Sequence, residues 1–205
     1  MRVCAPIPEL LPADIVLSRS WSRTSRLIRA FQLLQGKGLD NEARVSHVAL
    51  ALGDLNSTPE VVESLWRVTR TPLERYQGQE IVIWRNVRLS DVERRQVAAK
   101  ALELTGDWYA PLKLPLYALD GLCSTTWFSR TLGVLPYKTC GNLVAWAYDW
   151  GWPRRLQHNP YTFGLPSRAV TPDVIDDRCR YGEDWIEVYN SLHVACKCGL
   201  SRRRP

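Results

Sequence analysis

Two runs of β-prone residues, RVSHVALALG (Arg44 to Gly53) and EVVESLW (Glu60 to Trp66), flank DLNSTP, a connection built from turn formers. Two such runs joined so closely fold back on each other, which commits the chain to an antiparallel sheet before any other feature is weighed. Other stretches add to it. DIVLS (Asp14 to Ser18) reads as a short strand, EIVIWRNV (Glu80 to Val87) extends the sheet, and DWIEVY (Asp184 to Tyr189) reads as a final strand.

Helical signals lie between and after these runs. Thr24 or Ser25 can cap a helix in which Leu27, Ile28, Phe31 and Leu34 recur at helical spacing, with Gly36 and Gly38 ending it. LSDVERRQVAAKALELTG holds Ser90 and Glu93 in capping-box spacing, with Gly106 at the far end. In TCGNLVAWAYDWGWP, Thr139 is the N-cap, Cys140, Leu143, Val144 and Ala147 form one inward stripe, and Gly151 and Pro153 stop the helix. Pro172, after Thr171, opens a last turn or short helix. Residues 107–138, with Pro111, Pro115, Gly121 and an apolar stretch around Trp127 and Phe128, fit a short helix or a lid. Strands and helices together define an α+β fold.

A chain of 205 residues forms one domain, expected over residues 1–190, followed by a basic tail, 191–205. The formal charge of +6 comes largely from that tail, where Lys197, Arg202, Arg203 and Arg204 have no acid among them. A nucleic-acid-binding body is therefore not implied. No apolar run approaches a membrane span, and prolines and acids break the N-terminal stretch, so neither a transmembrane helix nor a signal peptide is expected. The expectation is a protein made in the cytoplasm, with Cys4, Cys123, Cys140, Cys179, Cys196 and Cys198 as thiols. Arg19, Arg23, Arg26 and Arg29 form either a solvated face or an anion-attracting rim.

Cys140 in a first helical turn feels the positive end of the helix dipole and unpaired backbone N–H groups, which favour the thiolate. His47 is the one histidine in a confident strand. If the hairpin is centred on Leu55, His47 faces Glu63 across the ladder; a loop spread evenly over Asp54 to Pro59 sets His47 opposite Trp66. The sequence does not choose between the registers. Ala49 and Ala51 share the face of His47, and these small residues leave room for the Cys140 helix there. A rival metal site, Cys179 with His193, Cys196 and Cys198, offers only a C-x-C spacing without paired knuckles.

Asp14-Ile15-Val16-Leu17, Ser46-His47-Val48, Val62-Glu63-Ser64, Gly106-Asp107-Trp108-Tyr109, and Cys140 with Leu143-Val144 and Tyr148 resemble, in that order, the YiiX-like circularly permuted members of the NlpC papain-fold cysteine hydrolases. In the permuted group the histidine precedes the cysteine helix, as here. The resemblance covers about residues 12 to 175; Ala110 departs from it, standing where the family has an acid. It implies a permuted papain-like fold with an antiparallel sheet packed on the Cys-bearing helix. It implies Cys140 as nucleophile, His47 as general base and acid and Glu63 as the group orienting His47, and thereby favours the Leu55-centred register. Trp108 and Tyr109 are expected at the substrate, with no metal or cofactor required. The implied activity is that of a cysteine amidase or endopeptidase acting through a thioester acyl-enzyme on peptides, with bacterial cell-wall peptidoglycan as the implied substrate. A wall hydrolase without a leader needs a phage-type or contact-dependent delivery route. The alternatives are an acyltransferase or hydrolase of lipid or N-acyl substrates, similar to the lecithin retinol acyltransferase group, with residues 112–135 lining an acyl groove, and an inactive binding module.

Overall fold

The computed structural model describes residues 7, 9–35, 39, 42–53, 58–77, 79–107, 139–152 and 161–192. Among the described residues, six strands form one antiparallel sheet: β1 (Ile15–Arg19), β2 (His47–Gly53), β3 (Glu60–Ser64), β4 (Val68–Pro72), β5 (Glu80–Asn86) and β6 (Trp185–Asn190), in the order β4-β3-β2-β1-β5-β6. Among the described residues the helices are α1 (Arg23–Gln35), α2 (Asp91–Glu103), α3 (Cys140–Gly151) and α4 (Pro172–Tyr181), with short 3₁₀ turns at Leu73–Tyr76 and Ser167–Ala169. The architecture is α+β, as the sequence implied.

Alternation along the strands divides the sheet into two faces. Leu17, Val48, Leu50, Leu52, Val62 and Val82 bury one face against Val97 and Ala101 of α2 and Leu143, Val144 and Ala147 of α3. Val16, Ala49, Ala51, Val61 and Ile83 face the other way, where Leu10, Leu73 and Tyr76 cover them. The expectation that α3 would seat on Ala49 and Ala51 is thus corrected. The bulkier stripe holds the helices because it offers more apolar area to bury, and the small stripe is covered by the chain's own segment at Leu10 and the 3₁₀ turn.

Local signals account for the helix starts. Ser90 and Glu93 make the expected capping box on α2, and Thr139 makes a second one on α3, with Asn142 as its reciprocal partner. Ser22, rather than Thr24 or Ser25, serves α1, which begins at Arg23 and whose Ser25 N–H donates to Ser22 Oγ at 3.1 Å. Strand β4 was not expected. Its residues are largely exposed and polar, and it forms a sheet edge by pairing Val68–Pro72 with Glu60–Ser64. The described helices include none long and apolar enough to cross a membrane.

Candidate functional site

Three segments converge at one end of the sheet. His47 is the first residue of β2, tied to β1 by pairing with Ser18. The approach to it is fixed from α1: Gln32 Nε2 donates to Val45 O at 2.8 Å, and the Ser25 and Ser46 hydroxyls meet at 2.6 Å. Gln32 Oε1 also accepts from Asp173 N at 3.1 Å, locking the start of α4 to the same point.

His47 and Glu63 are hydrogen-bonded, Nε2 to Oε2, at 2.8 Å. They do so in neither of the registers weighed above. Glu63 pairs with Ala49, and Val61 with Ala51, so His47 meets Glu63 on the diagonal. Same-face residues one pair apart along the strands remain within reach of long side chains. The register slips between Ala51 and Gly53, where Gly53 takes φ 76°, a conformation open to glycine; a Cβ there would meet the Pro12 ring at 2.8 Å.

Cys140 opens α3 and is buried, 7% exposed. Its thiol hydrogen-bonds the His47 ring and accepts from the backbone N–H groups of Val48 and Gly141. A clamp holds this first turn in place. Asn142 Nδ2 donates to Ser167 O at 2.9 Å and Val170 O at 3.2 Å, and a Cβ on Gly141 would lie 2.5 Å from Val170 O. Only glycine permits α3 to approach that closely.

Charge follows from this arrangement. Burial acts to lower the His47 pKa, but Cys140 and Glu63 together push it up to about 10. Burial acts to raise Glu63, yet His47, Thr71 and Tyr76 bring it down to about 2. Burial likewise opposes ionisation of Cys140, and the His47 imidazolium with the Val48 and Gly141 N–H groups lowers its pKa all the same. The ion pair of thiolate and imidazolium is the form this site favours. Cys179, the other free cysteine among the described residues, has its thiol pushed well up by burial and then by Asp176, as an inert core thiol would.

The structure thus brings together Cys140, His47 and Glu63. Trp108 and Tyr109 lie outside the described residues, as do residues 112–135 and His193, Cys196 and Cys198. The sequence reading missed Tyr76, whose hydroxyl donates to Glu63 Oε2 at 2.8 Å, and Thr71, which helps to hold the Glu63 pKa down. Both lie on segments that became recognisable only once β4 was placed. It also missed the Val48 N–H, since backbone donors leave no mark in residue identity. The arginine-rich segment is partly accounted for: Arg19 pairs with Glu80 at 3.4 Å, and the Arg19 and Arg29 guanidinium groups stack on Trp21.

An α+β domain with a linked Cys-His-Glu set where a six-stranded sheet meets a helix N-terminus is the class this geometry defines. The fold is shared with a solved structure, that of metalloprotein YiiX from Escherichia coli O157:H7: the match has a TM-score of 0.57 and 17% sequence identity and covers 89% of this chain and 98% of that one. No family model matches the sequence, and no curated protein does.

Proposed function

We propose that this protein is a cysteine hydrolase of the permuted NlpC/papain type that cleaves acyl-amide bonds, with bacterial cell-wall peptides as its substrate class. The observation that carries the reading is the linked set of Cys140, His47 and Glu63, with the thiol at a helix N-terminus and the histidine between thiol and carboxylate. The order of the motifs supports the permuted assignment.

In this reading the Cys140 thiolate attacks the carbonyl carbon and forms a C–S bond. The oxyanion is received by the Cys140 backbone N–H, which at the first helical position has no intrahelical acceptor. Collapse breaks the C–N bond, and the leaving amine takes the proton from the His47 imidazolium. Neutral His47 then removes a proton from water, which attacks the thioester, releases the acid and restores the ion pair. Glu63 keeps its charge throughout and holds the ring in position.

The solved neighbour is described as a metalloprotein. Among the described residues no group of three or more His, Cys, Asp or Glu side chains is placed to hold a metal ion, and the site's own donors are engaged with one another. The described residues thus form no site that fits a metal ion.

Incubating purified peptidoglycan with the protein, followed by mass analysis of the soluble fragments, tests the reading. New peptide termini that appear with the native protein, persist in a chelator and vanish with Cys140→Ala, at a cost of roughly a thousandfold or more in rate, are the expected result. Release that survives Cys140→Ala, or cleavage confined to lipid and N-acyl substrates, overturns it.

A further inference from the structure

We infer that Tyr76 is a positioning residue that fixes the Glu63 carboxylate on His47, so that the functional unit has four members. This rests on the proposed hydrolase reading for its catalytic meaning, but the geometry stands without it. Strand pairing alone does not aim Glu63 at His47. The residue directly across from Glu63 is Ala49, and a diagonal reach leaves the glutamate several rotamers to choose among, each of similar backbone cost. A second anchor is needed to select one. Tyr76 supplies it from the 3₁₀ turn, donating its hydroxyl to Oε2, the same oxygen that His47 Nε2 engages, both at 2.8 Å.

Two donors converging on one oxygen favour the ionised carboxylate, whose charge strengthens both bonds. Tyr76 remains a donor across the whole range in which the site works: burial first, and then the Glu63 charge, hold its own pKa well above the ordinary value of 10. The groups facing Glu63 from each packed element are His47 on β2, Thr71 on β4, and Tyr76 with Arg75 from the 3₁₀ turn, the Arg75 guanidinium at 3.8 Å from Oε1; Cys140 on α3 acts through His47. Tyr76 is 3% exposed and its ring packs among Leu73, Val61 and Ile81, so Phe at this position keeps the packing and removes only the hydroxyl.

The test needs no substrate. The rate of Cys140 alkylation by iodoacetamide is followed against pH for the native protein and for Tyr76→Phe, with melting temperature measured alongside. The expected result is a neutral-pH rate lower by about threefold to tenfold, the net scale of one ordinary hydrogen bond. The acid limb should also move to higher pH, since Glu63 loses a donor to its ionised form. A lower melting temperature with rate and acid limb unchanged makes Tyr76 a packing residue and overturns the inference. Because alkylation reports on the thiolate itself, these outcomes stay readable even if peptidoglycan is not cleaved.

Discussion

At Glu63, Ala49 is too small to fill the space across the strand, and the carboxylate uses that space to reach back to His47. Glu63→Gln removes one of the two groups that raise the His47 pKa and leaves Cys140 in place. The alkaline limb of activity should therefore move to lower pH from about 10. Turnover should fall less than in His47→Ala, and the double variant should be hardly worse than His47→Ala alone. Additive losses in that cycle, read as kcat/KM on any cleavable substrate, would remove Glu63 from the unit. The linkage to stability has two signs. His47's raised pKa contributes fully below its ordinary 6.5 and is lost as pH rises through about 10; Glu63's lowered pKa contributes above its ordinary 4.5 and is lost as pH falls toward about 2. A first-turn cysteine and a strand histidine are local patterns that mark Cys140 and His47 as candidates, and the resemblance of the motifs in order added Glu63. Their register was not legible, because it depends on a slip between Ala51 and Gly53 where Pro12, distant in sequence, presses on the strand.

Helix α3 is held at both ends by missing side chains. Gly141 lets its first turn close on the backbone at Val170 and Thr171, and Gly151 lets its last turn close on α2, where a Cβ would lie 2.5 Å from Val97 Cα. Alanine in a helix interior ordinarily gains about 1 kcal/mol over glycine, yet here each substitution meets backbone and should instead cost about 1–3 kcal/mol. The two differ in what else they move. Gly141→Ala should also slow Cys140 alkylation, because it displaces the turn that carries the thiol, whereas Gly151→Ala should lower only the melting temperature. Equal alkylation rates in the two variants would separate the clamp from the site. At this scale, caps and breakers were readable from single residues, as at Thr139 and Ser90. Strand β4 was not, since an edge strand with exposed Arg70 and Thr69 lacks the alternation that marks a half-buried one. The seat of α3 was misjudged for a related reason: small residues say that something approaches closely, not which segment does.

Across the whole molecule, Asp14 joins the sheet to α2. It is fully buried beneath β1 and takes Arg85 of β5 at 2.6 Å and Arg94 of α2 at 3.6 Å. Nearby, Tyr148 of α3 donates to Ala13 O at 2.6 Å. Asp14→Asn leaves two guanidinium groups without their counter-charge and should cost about 2–3 kcal/mol, somewhat less than a fully buried pair because Arg85 keeps contact with water. Denaturant unfolding measures it, and an unchanged midpoint would contradict it. The folded fraction should retain its thiol reactivity, since no part of this cluster touches Cys140.

Chain order gives the site a sequence in time. β1 to β5, with His47 and Glu63 among them, leave the ribosome before Cys140 is made. The contact between His47 and Cys140 spans a long stretch of chain, and such contacts close late because their loop entropy must be met first. Until then the cysteine lacks both its imidazolium and the Val48 N–H, so an unfinished chain carries an ordinary thiol. Activation of the thiol thus waits on tertiary closure and not on the synthesis of either residue.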